Sequence, residues 1–152
     1  FFRIIFNINK LMGNNQSSIF KINYEDVLYV LKNKETHILI NTLSSNEQEC
    51  LLPNTIDIAK EEHLVNSYIQ HGRKDVKIVI YGKNSNDETV YNKQRQLQTL
   101  GFYNIYIYTG GLFEWLMLQD IFGEDEFPTT KKEMDILKYK PKKIMDIHLI
   151  DY

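Results

Sequence analysis

The order of apolar and polar positions divides the chain into short strands and one-sided helices. Positions 24–32 (YEDVLYVLK) place Val27, Leu28, Val30 and Leu31 at spacings that give a helix one apolar side, with Asn23 as N-cap and Asp26 at the third helical position. Positions 37–41 (HILIN) form a short β-branched run that predicts a buried strand, and 76–81 (VKIVIY) is the strongest strand signal. Between them, 42–49 is polar and loop-like, 55–58 (TIDI) alternates as a short strand after Pro53, and 61–70 predicts a helix ended by Gly72. The turn cluster 82–86 (GKNSN) precedes a helix expected over 87–100 and stopped by Gly101. A strand over 104–108 (NIYIY), the pair Gly110-Gly111 and a helix over 112–121 follow. Strands alternating with helices predict a parallel α/β sheet covered on both faces. After Pro128 a further helix is expected over 130–137, and Pro141 opens a lysine-bearing tail with weak periodicity.

Composition narrows the function classes. The chain has 152 residues, enough for one domain with a real core. Its 18 Lys and Arg against 20 Asp and Glu give a net charge of −2, which argues against nucleic-acid binding driven by a basic surface. The single cysteine, Cys50, excludes an intramolecular disulfide framework and a zinc site built on paired cysteines. No apolar run approaches the roughly 20 residues of a membrane-spanning helix. A cytoplasmic, single-domain protein is the expectation. Ala59 is the only alanine, so helix propensity rests on Leu, Glu, Lys and Gln.

The chain opens on Phe1, and Met12 is its first methionine. Asn7, Asn9 and Lys10 interrupt the apolar residues of 1–11, and no small-residue cleavage site follows, which disfavours a signal peptide. These residues are expected to lie upstream of the true start or to mark a fragment. From Met12 the order Met12-Gly13-Asn14-Asn15-Gln16-Ser17 fits the pattern for myristoylation of Gly13, whose free amine must carry no side chain beside it. A polar leader without modification is the other reading. One acyl chain would give only weak, reversible membrane contact, and an unmodified Gly13 amine in protein from the native cell would exclude it.

The segment 77–115 reads KIVIYGKNSNDETVYNKQRQLQTLGFYNIYIYTGGLFEW. Its order of strand, loop, helix, Leu100-Gly101-Phe102 turn, strand, Gly110-Gly111 and a helix bearing Trp115 resembles the second half of a rhodanese domain. Upstream, 38–42 stands where that family has a strand ending in aspartate, and Leu52-Pro53-Asn54-Thr55-Ile56 is similar to its IPGA-I turn. The resemblance implies a rhodanese-like three-layer α/β sandwich with a central, mainly parallel sheet and helices on both faces. It implies a leader over 1–22, the domain over 23–127 and a C-terminal extension over 128–152.

The same resemblance implies what is missing. Rhodanese-type sulfurtransferases carry a cysteine first in the loop after the central strand, and the loop N–H groups and the next helix N-terminus lower its pKa and cradle the anion. Here Gly82 holds that position, and no thiol means no persulfide. The loop Gly82-Lys83-Asn84-Ser85-Asn86-Asp87 has no arginine, and Asp87 and Glu88 stand where the helix dipole would attract an anion. Cys50 belongs to a different loop and is expected to be a half-buried, apolar-like thiol. Ser85 as a nucleophile would need a histidine base, and His37, His63, His71 and His148 show no metal-ligand spacing. Trp115 is expected in the core, Lys131-Lys132 and Lys142-Lys143 in solvent, and 123–127 (GEDEF) lacks the ligand pattern of a calcium loop.

With the cysteine missing, the resemblance implies a domain without catalytic residues, metal or cofactor that acts as a protein-binding or regulatory module, docking a protein at the degenerate loop or along 127–143. A sulfurtransferase or phosphatase-type enzyme with a non-standard site is the rival, and anion or nucleotide binding by the loop backbone is a third reading.

Overall fold

The β-branched runs pair side by side, and one strand joins them from a segment whose pattern does not announce it. The computed structural model describes residues 19–145. Strands β1 (Phe20–Ile22), β2 (His37–Asn41), β3 (Lys77–Tyr81) and β4 (Asn104–Tyr108) form one wholly parallel sheet in the order β1-β4-β3-β2. Helices α1 (Tyr24–Lys32), α2 (Ile58–Gln70), α3 (Thr89–Thr99) and α4 (Gly111–Phe122) cover its two faces. The three-layer α/β sandwich is as expected.

Strand alternation builds two cores. Leu39, Val79, Tyr81 and Tyr108 point to one face, where Val27 and Val30 of α1 and Leu112, Trp115 and Leu116 of α4 meet them. Ile40, Ile78, Ile80, Ile105 and Ile107 point to the other, against Val65 of α2 and Val90 and Leu97 of α3. The register aligns Ile80 with both Ile40 and Ile107, so this second face is a continuous isoleucine surface.

Local signals set the helix ends. Asn23 and Asp26 form a reciprocal capping box at α1, with Asp26 N donating to Asn23 Oδ1 and Asn23 N to Asp26 Oδ2, both at 3.1 Å. Asn54, at the glycine place of the IPGA-I turn, adopts φ 63°, a left-handed conformation that asparagine tolerates better than other side-chain-bearing residues.

Five expectations need correction. The run 55–58 is not a strand: only Thr55 bridges to Leu39. Asp57 instead caps α2, its Oδ1 accepting from Ala59 N at 2.9 Å, so that helix starts at Ile58 rather than at 61. The segment 130–137 is not an α-helix; its start is tied to the 49–51 segment instead, with Thr130 N donating to Leu51 O at 2.8 Å and Leu51 N to Thr130 Oγ1 at 3.0 Å. Only a short 3-10 turn, Ile136–Tyr139, forms there. The helix expected over 87–100 starts at Thr89, because the Asp87 side chain turns back into the preceding loop. Phe20–Ile22, placed with the leader, supplies the edge strand β1; Gly13 and His148 lie outside the described residues.

Two buried tyrosines fasten strand ends to the layer beside them. Tyr81 Oη accepts from Leu52 N at 3.1 Å and lies 2.8 Å from Thr55 Oγ1, and Tyr108 Oη donates to Glu114 Oε1 at 2.9 Å. Burial pushes both hydroxyls well above the usual tyrosine range, and the Glu114 carboxylate pushes Tyr108 further. The unfolded chain ionises its tyrosines near pH ~10 while the folded one keeps these two protonated, so the folded state holds more protons above that pH. Stability should therefore be intact below pH ~10 and fall above it by up to about 1.4 kcal/mol per pH unit for each tyrosine. Urea titrations between about pH 9 and 11 test this, and an unchanged slope in Tyr81→Phe/Tyr108→Phe would contradict it. Tyr81→Phe alone leaves the buried Leu52 N–H unpaired and should cost about 1–3 kcal/mol at neutral pH.

Candidate functional site

In a parallel sheet the strand C-termini share one edge, and the crevice there is where loops can present chemistry. The central strand β3 ends at Tyr81 and the chain turns at once into 82–87 before α3 begins. A cleft of about 620 Å³ opens above this loop, lined among others by Thr42, Glu47, Lys83, Asn84, Asp87 and Lys142.

The loop is closed on itself by Asp87. One carboxylate oxygen, Oδ2, accepts from Lys83 N at 2.9 Å, and the other, Oδ1, accepts from Thr89 N at 3.0 Å and from the Thr89 hydroxyl. Asn84 binds two more, taking Asn86 N on Oδ1 at 2.9 Å and Asp87 N on its carbonyl at 3.2 Å. Four of the loop's N–H groups are thus bound within the loop and the first turn of α3, two of them by the Asp87 carboxylate. The sequence-level expectation for Asp87 was repulsion of an anion at the helix N-terminus. The geometry adds that the carboxylate itself accepts from Lys83 N and Thr89 N.

Gly82 is buried and hemmed in. A Cβ placed on it would lie 2.4 Å from Asp87 Oδ2 and 3.0 Å from Thr42 Oγ1. Any side chain here must push the Asp87 carboxylate off Lys83 N, so the glycine and the aspartate form a matched pair. From below, α4 seals the loop: Leu112 N donates to Gly82 O at 2.9 Å and Phe113 N to Lys83 O at 2.8 Å.

Outside the loop, Lys83 Nζ reaches Glu47 Oε2 at 2.9 Å across the cleft. Partial burial raises the Glu47 pKa, but hydrogen bonds from Ser44 and Lys83 outweigh it and hold the carboxyl below its ordinary range. The C-terminal segment also joins in, with Asn84 Nδ2 donating to Tyr139 O at 2.8 Å. Thr42, Glu47, Tyr139 and Lys142 were not singled out from the sequence as parts of this site. Thr42 could have been, since it follows a strand adjacent to β3 and so must flank the loop. For Tyr139 and Lys142 no local signal exists.

The other candidates fall elsewhere. Cys50 is buried in the core near Tyr81 and Tyr139 and does not line the cleft; burial pushes its thiol up, against a smaller opposing effect of Thr129. A raised pKa leaves little thiolate at neutral pH. Ser85 is exposed and does not line the cleft, whereas Asn86, also exposed, does; no described histidine lines it. Trp115 is fully buried. Among the described residues no cluster of three or more His, Cys, Asp or Glu could hold a metal ion, and no helix is long and apolar enough to cross a membrane.

A parallel α/β sandwich whose central strand runs into a tight loop capped by a helix N-terminus defines a class of proteins, and comparison places the chain within it. The model of the rhodanese-like domain matches residues 24–118, and the chain belongs to that family. No curated protein matches it by sequence. Among solved structures, the Alr3790 protein from Anabaena sp. superposes with a TM-score of 0.54 at 18% identity, covering 77% of this chain and 97% of that one. The BH2092 protein from Bacillus halodurans gives 0.54 at 16%, covering 80% and 90%, and the As-Sb reductase from Leishmania major 0.51 at 16%, covering 69% and 82%. At these identities the likeness is one of fold alone.

Proposed function

We propose that this chain is a catalytically silent rhodanese-like domain that acts by binding another protein. The observation that carries the reading is the Asp87 carboxylate on the loop N–H groups, beside a Gly82 that has no thiol and no room for a side chain while Asp87 stays in place. A nucleophile and an open anion cradle are both required for sulfur transfer through a covalent intermediate. The only cysteine is buried away from the cleft, which supports the same reading. The thiosulfate:cyanide assay tests it directly. Turnover should match that of a Cys50→Ser control, and turnover well above that control overturns the proposal in favour of the enzyme.

Gly82→Cys carries a sharper expectation. The new Cβ displaces Asp87 from Lys83 N, yet the carboxylate stays within the loop and repels the anion, so this variant alone should gain little activity. Gly82→Cys/Asp87→Ala removes the charge as well and should exceed the single variant at least about tenfold, equivalent to about 1.4 kcal/mol of barrier. Substantial rescue by Gly82→Cys alone would show the electrostatic reasoning to be wrong. Phosphate titrations separate the third reading: the wild-type loop amides should not shift, whereas those of Asp87→Ala should.

A further inference from the structure

Helix α4 is apolar on nearly every side, a composition that normally marks a helix buried all round. Here only one side is covered. Leu112, Trp115 and Leu116 enter the core, while Met117, Ile121 and Phe122 stand in solvent, with Ile121 67% exposed. Beside this ridge runs a groove of about 460 Å³, floored by Leu116 and Ile136 and flanked by Phe122 and the 81% exposed Met134. Its rim is acidic. Asp120, Glu124, Asp125 and Glu133 line it; its one lining lysine, Lys132, pairs with Glu124 at 2.9 Å, and Lys138 outside the lining pairs with Glu133 at 2.6 Å. Asp120 and Asp125 form no ion pair among the described residues.

We infer that the α4 face and its groove dock a basic amphipathic helix of a partner protein. The apolar ridge supplies the area, methionines at both sides adapt to the partner's side chains, and the unpaired Asp120 and Asp125 select lysine or arginine along the helix edges. A second copy of this chain would bring the same acidic rim and so suffer like-charge repulsion, and an anionic lipid surface is disfavoured for the same reason. The inference deepens the reading of the chain as a binding module and rests on it. It concerns the opposite end of α4 from the degenerate loop.

The probe is a synthetic Leu/Lys amphipathic helix of about 14 residues, comparable in length to α4, with a Leu/Glu peptide of the same apolar pattern as its counterpart. Fluorescence anisotropy should show saturable binding of the Leu/Lys peptide that weakens as salt rises, and at least about tenfold weaker binding of the Leu/Glu peptide. Ile121→Lys and Asp120→Lys/Asp125→Lys alter exposed side chains, so they should fold as wild type by circular dichroism while each weakens binding at least about tenfold. Equal affinity for both peptides, or affinity indifferent to these substitutions, overturns the inference. So does a wild-type dimer by sedimentation that Ile121→Lys dissolves, since a second copy would then own the face. The sulfurtransferase assay decides the underlying reading separately: an active enzyme with no peptide binding fails both, an inactive one with no peptide binding fails only this inference.

Discussion

Trp115→Ala should destabilise the protein by about 3–5 kcal/mol, the range for emptying a large aromatic site in a packed core. Trp115 is fully buried, edge-on to Tyr108 at 6.3 Å and to Phe127 at 5.1 Å between ring centroids, and its Nε1 donates to Pro128 O at 2.9 Å. It therefore joins the sheet, helix α4 and the C-terminal segment at one point. Net stabilities of domains this size run about 5–15 kcal/mol, so the loss is a large share. Trp115→Phe keeps most of the volume but strands the Pro128 carbonyl, and should cost about 1–3 kcal/mol. Urea denaturation orders the variants. A Trp115→Ala loss under about 1 kcal/mol would mean that neighbours collapse into the space and that this contact does not tie the C-terminal segment down.

That junction shows where sequence reading stops. The strands β2, β3 and β4 and the helices α1, α3 and α4 are legible because each is a local pattern: β-branched runs, one-sided apolar spacing, an asparagine cap, glycine stops. The loop 82–87 is legible for the same reason, lying between an unmistakable strand and a helix. What decides 128–140 is not local. Gln119 Nε2 donates to Phe127 O at 2.7 Å, Thr130 bonds to Leu51 and Glu49, and Asn84 holds Tyr139 O, so the path of this segment is fixed by contacts with other elements rather than by its own periodicity. The three residues of β1 are too few to show a period, and they are a strand only because the β4 edge needs a partner. The alternation of 55–58 misleads because Asp57 looks like an outward strand position and is a helix cap. Asp87 was legible as a charge of the wrong sign, but its two-pronged hold on the loop depends on a backbone path that no spacing reveals.

Gly111→Ala should cost about 2–5 kcal/mol, although Ala is ordinarily the better helix former. Gly111 has φ +66°, a conformation that costs a side-chain-bearing residue about 1–2 kcal/mol. Space adds to conformation: a Cβ there would lie 2.8 Å from Asn84 N and Gly82 O and 2.9 Å from Lys83 C, all backbone atoms of the 82–87 loop. These cannot swing aside, so α4 and the loop must part, and the bonds from Leu112 N to Gly82 O and from Phe113 N to Lys83 O stretch with them. The neighbour provides the control. Gly110 has φ −63°, and the atoms nearest a Cβ on it would be those of the Glu114 carboxylate, at 2.4 Å. That side chain can rotate away at the loss of its bond to Tyr108 Oη, so Gly110→Ala should cost about 1 kcal/mol. Urea denaturation of both variants gives the order, and amide chemical shifts of Lys83 and Asn84 show whether the loop moves. Equal costs, or a Gly111→Ala protein with an undisturbed loop, would mean that the helix N-terminus does not hold the loop closed and that Asp87 does so alone.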